Sequence, residues 1–289
     1  MPERPFASVV VPAHNEEARI GACVESLLAL DYSRERYEVI VVENGSTDGT
    51  ARVLERYGNR VRLLRHPRPS RAEARNAGLE AARGDLVAFV DGDCVADPGW
   101  LRAMLEPLEG RDRVVVAGDV LVPPEAGWVE RFADRVHDQR AAVGFNPPYA
   151  STASCAMATA PLRAAGGFDP RFQLGSDVDL SYRLHEQGWS FVHQPAAVVF
   201  HPGEKSLGDL FRLGVRHGRQ SILPTVRHAA LLRRTGQARR RRRLFADVAR
   251  GLANLARAPS RTALCELVFV TGKATGKLTG AMRLRRLAA

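Results

Sequence analysis

An α/β fold with a mostly parallel sheet, followed by a basic helical extension, is what this 289-residue sequence predicts, and three observations predict it. Short apolar runs rich in Val and Ile alternate with helix-like segments in the first part of the chain. Each run closes in polar turn formers, which gathers the loops at one edge of the sheet. From Lys205 onward, 20 Lys and Arg face only Asp209, Asp247 and Glu266, a net +17 that leaves −7 for residues 1–204 within an overall +10.

The first run, Ala7–Val11, reads as a strand entering the loop Pro12-Ala13-His14-Asn15, with a helix expected from about Glu16. Tyr37–Val42 repeats the plan and ends in Glu43-Asn44-Gly45-Ser46-Thr47-Asp48-Gly49-Thr50, where Ser46 and Asp48 are expected to cap a helix through Leu54. Val61–Leu64 is a brief third strand, and Arg71–Gly84 a helix that leads into the buried strand Leu86–Val90. That strand finishes in Asp91-Gly92-Asp93, two carboxylates that offer oxygen ligands to a hard divalent cation, with a glycine that lets the backbone approach a ligand. Asp-Gly-Asp is also ordinary turn chemistry, so the triplet alone leaves both readings open.

Residues 141–174 are rich in Gly, Pro and Ser and suit loops around a substrate; Phe145 and Tyr149 within them, and Trp128 before them, are stacking or core aromatics. Ser176-Asp177-Val178-Asp179 opens a helix running to Gln187 and stopped by Gly188; Ser176 is a ready N-cap, and both acids complement the helix dipole. Residues 206–289 are expected to be helical, with breaks near Pro224 and Pro259 and a basic run at Arg239–Arg243.

Composition narrows the function classes. Cys23, Cys94, Cys155 and Cys265 are scattered without a CxxC pair, which suggests neither a disulfide framework nor a zinc ribbon and fits a reducing cytoplasmic setting. The start of the chain lacks the charged-then-apolar pattern of an export signal. The longest apolar stretch, Leu264–Met282, is interrupted by Lys273 and Lys277, short of the roughly 20 residues a membrane span requires. The basic extension points to an anionic membrane surface, and hence to a peripheral location on the inner face of the cell membrane. A solvated face or linker is the plainer reading of the arginine run, and nucleic acid is not expected because aromatic interleaving is missing.

The order and spacing of several motifs resemble family 2 of the GT-A glycosyltransferases. They are Val9-Val10-Val11-Pro12-Ala13-His14-Asn15-Glu16-Glu17, Val42-Glu43-Asn44-Gly45-Ser46-Thr47-Asp48, Ala74-Arg75-Asn76-Ala77-Gly78, Asp91-Gly92-Asp93, Gly166-Gly167-Phe168-Asp169, Ser176-Asp177-Val178-Asp179 and Val198-Val199-Phe200-His201. The resemblance spans residues 6 to about 203. It implies a GT-A fold, with a Rossmann-like nucleotide-binding half over about 6–110 joined in one mixed sheet to an acceptor half over about 111–203. The domain would occupy 1–203 and the basic helical extension 204–289.

The implied activity is metal-dependent, inverting transfer of a single sugar from a nucleotide-diphosphate sugar to an acceptor hydroxyl, on a lipid-linked or small polar acceptor. By the resemblance, Asp93 binds Mn²⁺ or Mg²⁺ with His201 completing the metal site, and Asp91 holds the metal shell or the donor ribose. Pro12, Ala13 and Glu16 cradle the nucleotide, Glu43 contacts the base, and Arg71 or Arg75 pairs with the diphosphate unless merely solvated. Asp177 is the candidate general base. The family usually carries Glu-Asp where this chain has Ser176-Asp177, which removes a neighbouring charge that would raise the pKa of Asp177. No Gln-x-x-Arg-Trp motif follows, which argues for single additions rather than processive synthesis. Two rival readings stay open: a non-catalytic nucleotide-binding or membrane-associated scaffold of the same fold, and a sugar-phosphate nucleotidylyltransferase. The second would normally carry a Gly-rich basic loop where Pro12-Ala13-His14-Asn15 stands.

Overall fold

The computed structural model describes residues 5–172, 174–237 and 244–288. Strands β1 (Ala7–Ala13), β2 (Tyr37–Asn44), β3 (Arg62–His66), β4 (Leu86–Val90), β5 (Val95–Ala96), β6 (Val114–Leu121), β7 (Ser154–Ala158) and β8 (Ser190–Phe200) form one sheet in the order β3-β2-β1-β4-β7-β6-β8-β5. The pairs β3–β2, β2–β1 and β1–β4 are parallel, and β7 then runs antiparallel to both β4 and β6. The sheet is therefore mixed, and its parallel half is the part that hydrophobic runs with intervening helices predicted. β1, β2 and β4 are buried on both faces, as a sheet covered by helices on each side requires.

Helices α1 (Ile20–Leu28), α2 (Thr50–Glu55) and α3 (Arg71–Ala81) belong to the first half of the sheet, and α4 (Trp100–Leu105) packs chiefly against β8 and β6. Two cores flank the sheet. One packs Val9, Val11, Ile20, Val24, Leu27 and Trp100 on one face, and the other packs Val10, Leu79, Val87, Phe89, Phe168 and Leu184 on the opposite face. The split of Val9 and Val11 from Val10 is the two-residue period of a strand. α3 lies close to β1 because Gly78 faces Val10: a Cβ there would stand 2.2 Å from Val10 Cγ1.

Three local expectations change. The helix expected from about Glu16 begins at Ile20, after a turn through Glu16–Arg19. Ser46 does not cap α2, whose N-cap is Gly49, whereas Asp48 Oδ1 does accept from the N–H of Thr50, the first residue of α2, at 3.0 Å. Ser46 Oγ accepts from the Asn15 N–H at 3.1 Å and Asp48 Oδ2 accepts from the Glu17 N–H at 3.2 Å, so both also tie the second loop to the first. Ser176 does not cap α8 (Ser176–Glu186) either; the cap is Gly175 in the left-handed region at φ 79°. A glycine there turns the chain sharply into the helix, which leaves the Ser176 hydroxyl for other work.

α5 (Ala133–Val136), α6 (Gln139–Val143), α7 (Thr159–Ala164) and α8 complete the helices before β8. Two compact units are present: the stretch ending at Leu121 together with His137–His201, and Val122–Val136 together with the chain from Pro202 onward. Sequence reading left Val122–Val136 with the acceptor half. It groups with the second unit because Val129 and Phe132 pack with Leu210, Leu213 and Cys265.

The second unit adds α9 (Leu207–Gln220), α10 (Ile222–Arg227), α11 (Ala229–Arg234), α12 (Leu244–Arg257) and α13 (Arg261–Ala288). The break expected near Pro224 falls at Ser221, between α9 and α10, and Pro224 itself lies in the first turn of α10, where a missing N–H is tolerated. Pro259 does fall between helices. α9 and α13 approach through glycines: a Cβ on Gly276 would lie 2.1 Å from the Val215 carbonyl oxygen. The run Arg239–Arg243 lies outside the described residues. No helix among the described residues is long and apolar enough to cross a membrane.

Candidate active site

Beyond the carboxyl ends of β1, β2 and β4 opens a cleft of about 250 Å³ lined by residues that include Pro12, His14, Glu16, Asn44, Arg71, Asp91 and Asp93. This is where an open α/β sheet offers a binding crevice. Its rim is braced by loop-to-loop bonds. His14 Nδ1 meets the Asn44 carbonyl at 2.9 Å, Asn44 Oδ1 accepts from the Ser70 N–H at 3.0 Å, and Asn15 Oδ1 accepts from the Thr47 N–H at 2.8 Å. Asn15 takes φ 55° to make its contact, a left-handed conformation that Asn tolerates better than most residues.

The acids differ in state. Burial and the nearby Asp93 and Asp91 charges push the Glu16 carboxyl from 4.5 up to about 7, against the pull of Arg19 and Arg71. Burial would also raise Asp93, but a hydrogen bond from His201 and its charge, with the Arg19 charge adding to them, hold Asp93 well below the usual carboxylate range. His201 Nε2 lies 3.2 Å from Asp93 Oδ2. Arg75 donates from Nη2 to Asp91 Oδ1 at 2.9 Å.

These donors suit a divalent cation. Carboxylate oxygen and imidazole nitrogen are donor types that such a cation accepts, and the 3.2 Å hydrogen bond between His201 and Asp93 brings one of each together. Among the described residues no three His, Cys, Asp or Glu side chains form a ready-made cage. The arrangement is of the kind in which one or two protein ligands are completed by substrate phosphates and water.

Of the site residues expected from sequence, Pro12, Glu16, Arg71, Asp91 and Asp93 share the cleft wall. Ala13 is fully buried, and Glu43 is 8 % exposed with Oε1 accepting from the Ser46 N–H at 2.6 Å. His201 reaches the cleft through Asp93. Asp177 is not on that wall. It stands in the first turn of α8, with Oδ1 accepting from the Val178 N–H at 2.9 Å. Part of the residue reaches solvent, yet burial pushes its carboxyl upward and Asp91 adds to this, while Arg75 and the Val178 N–H pull it down. Tyr149 is near enough to feel this carboxylate: burial and the Asp177 charge push its hydroxyl up to about 12.

Sequence reading missed His14, Asn44 and Leu174 on the cleft wall, and the role of Asn76. Asn76 Nδ2 donates to the Phe168 carbonyl at 2.7 Å and Oδ1 accepts from the Phe168 N–H at 2.8 Å, which joins two of the motifs directly. The signal was present in the spacing, as Asn76 lies five residues past the exposed Arg71 at the helix start and so faces a different way. Asp179 is fully buried against Arg183, at 2.9 Å, and so serves α8 rather than the cleft.

Glycosyltransferase AglE of Haloferax volcanii is 29% identical over 224 residues, 75% of this chain and 73% of that protein. The pre-mycofactocin glycosyltransferase of Mycobacterium tuberculosis is 28% identical over 78% of this chain, which spans 49% of that relative's length. Among solved structures, a mannosyltransferase from Pyrobaculum calidifontis in complex with GDP-Man and Mn²⁺ superposes with a TM-score of 0.71 over 96% of this chain and 88% of its own, at 18% identity. The fold is GT-A. The family model described as Glycosyl transferase family 2 matches residues 8–159, more than half of the sequence, and the chain belongs to that family.

Proposed function

We propose that this chain is a metal-dependent, inverting glycosyltransferase that moves one sugar from a nucleotide-diphosphate sugar to an acceptor hydroxyl. The observation that carries the reading is the cleft wall on which Glu16, Arg71, Asp91 and Asp93 meet, with His201 3.2 Å from Asp93. Cleavage of the anomeric carbon–oxygen bond leaves a nucleoside diphosphate with added negative charge. A bound Mn²⁺ or Mg²⁺ would supply Lewis-acid stabilisation of that charge. Asp93 and His201 would hold the ion, Arg71 would meet phosphate oxygens, and Pro12, Ala13 and Glu43 would shape the nucleotide side. Asp91 would position the ribose end of the donor.

An alcohol is a poor nucleophile at neutral pH, so attack on the sugar needs a base within hydrogen-bond reach. Asp177 fills that role: burial makes its carboxylate more basic than an ordinary aspartate, and Arg75 keeps it ionisable. A single base and direct displacement on one face of the sugar give inversion. The acceptor is placed among lipid-linked or small polar alcohols. A dodecaprenyl-phosphate galacturonate synthase of Rhizobium johnstonii, 37% identical over 38% of this chain and 35% of its own length, supports the lipid-linked case. The +17 charge from Lys205 onward supports work at an anionic lipid surface on the cytoplasmic side.

The test is thermal stabilisation by UDP, GDP and dTDP, each with and without Mn²⁺, since a ligand of the native state raises Tm by mass action. A shift with one nucleotide that requires Mn²⁺ and vanishes in Asp93→Ala is expected. Folded protein that responds to none of them would overturn the donor-site assignment and bring the scaffold reading forward.

A further inference from the structure

Arg75 stands in α3 where three parts of the candidate site meet. Its side chain is 5 % exposed, and Nη2 donates to Asp91 Oδ1 at 2.9 Å. Nη1 reaches Ser176 Oγ only at 3.5 Å, and the buried Nε–H has no acceptor. The guanidinium carbon lies 5.7 Å from the centre of the Phe168 ring. A buried guanidinium has five N–H groups to satisfy and is costly to leave short of acceptors. Here one carboxylate and one distant hydroxyl do the work, and the unspent donor capacity lies beside the first turn of α8. The helix starts there because Gly175 makes the turn, which frees Ser176 to face Arg75 instead of capping.

We propose that Arg75 is a positioning residue that serves both halves of the reaction: one buried guanidinium sets the donor-side acid Asp91 and the helix turn that presents Asp177. The inference rests on the reading of Asp177 as base. The groups that face Asp177 are Arg75 from α3, Asp91 beyond β4, Cys155 on β7, Tyr149 from the preceding loop and the Val178 N–H of its own helix. Arg75 is the cation in that set, so it opposes the upward push of burial on the Asp177 carboxyl. Donor placement and base ionisation therefore respond to the same side chain.

The experiment follows Asp177 itself in ¹³C-carboxyl-aspartate NMR titrations, its signal identified by loss in Asp177→Asn. Wild type, Arg75→Met, Arg75→Lys and Ser176→Glu are compared, with thermal stabilisation by Mn²⁺ plus UDP or GDP measured on the same proteins. Arg75→Met moves the Asp177 midpoint upward and weakens the nucleotide response at least threefold. Arg75→Lys, which keeps the charge but not the planar fork, restores the midpoint more than the nucleotide response. Ser176→Glu also moves the midpoint upward, because the new carboxylate shares Arg75 and adds a like charge. A folded Arg75→Met protein whose midpoint or nucleotide response equals wild type overturns the proposal. If Arg75→Met does not fold, an unmoved midpoint in Ser176→Glu overturns it instead. The titration needs no sugar transfer, so a protein that transfers nothing while its Asp177 midpoint follows Arg75 refutes the function and leaves the coupling standing.

Discussion

Replacing Glu16 by Gln tests the electrostatics of the cleft most directly. The carboxyl is pushed from 4.5 up to about 7 by burial and by Asp93 and Asp91. A rise of that size corresponds to roughly 3 kcal/mol against the ionised form. Solvent reaches the side chain, which is 22 % exposed, and screening reduces the figure to about 1–2 kcal/mol. The sign follows from proton counts. Between pH 4.5 and about 7 the folded state holds the Glu16 proton and the unfolded chain has released it, so stability falls as pH rises through that window. Glu16→Gln removes the penalty. Urea unfolding in EDTA should find the two proteins equal near about pH 4, with the variant more stable by about 1–2 kcal/mol at about pH 8. Mn²⁺ should narrow the gap at high pH, because a cation beside Asp93 supplies the missing counter-charge to all three acids. A gap that is the same at both pH values, or a variant less stable at high pH, would refute the reasoning.

Four further outcomes are expected. Asp177→Asn should lower turnover about 10²–10⁴-fold while leaving Mn²⁺-dependent nucleotide stabilisation intact; loss of both together would place Asp177 in folding or donor binding. His201→Ala should weaken Mn²⁺ binding in the presence of nucleotide at least tenfold, about 1.4 kcal/mol, read from the EPR signal of free Mn²⁺; unchanged affinity would remove His201 from the metal site. Gly276→Ala should lower Tm, since its Cβ would stand 2.1 Å from the Val215 carbonyl oxygen and overpacking costs about 1–3 kcal/mol. Gly21→Ala, whose Cβ would meet Tyr57 Oη at an ordinary 3.6 Å, should hold or raise Tm through helix propensity of up to about 1 kcal/mol; equal effects of the two would argue against close α9–α13 packing.

How much was legible in the sequence depended on whether the signal was local. Leu86–Val90 and its terminal Asp91-Gly92-Asp93 were readable because a buried strand and a ligand-bearing turn are contiguous in the chain. Ser46 and Asp48 looked like helix caps because short polar side chains near a helix start usually bond their own backbone. Asp48 does bond its own helix at Thr50, but both side chains also reach the Asn15 and Glu17 N–H groups about thirty residues away in sequence. Arg75 sat in a pattern that reads equally as an exposed helix arginine, and only the sheet geometry, which brings Asp91 within 2.9 Å, separates it from the exposed Arg71. The grouping of Val122–Val136 with the later helices was invisible for the same reason: Phe132 finds Leu210 and Cys265 far along the chain.

Gly78 shows what sets the tolerance of such a site. Arg75 precedes it by three residues on α3, nearly one turn, so both share the helix face turned towards the sheet and the cleft. The helix can approach β1 as closely as it does only because position 78 presents a hydrogen to Val10, where a methyl group would intrude to 2.2 Å. Any larger residue would lift the helix and carry the Arg75 guanidinium away from Asp91, enough to lengthen a charge-assisted hydrogen bond that is strong only when short. A substitution at residue 78 would thus act as a mechanical adjustment of the cleft: it changes no polar group, yet it alters the reach of the cation one turn away.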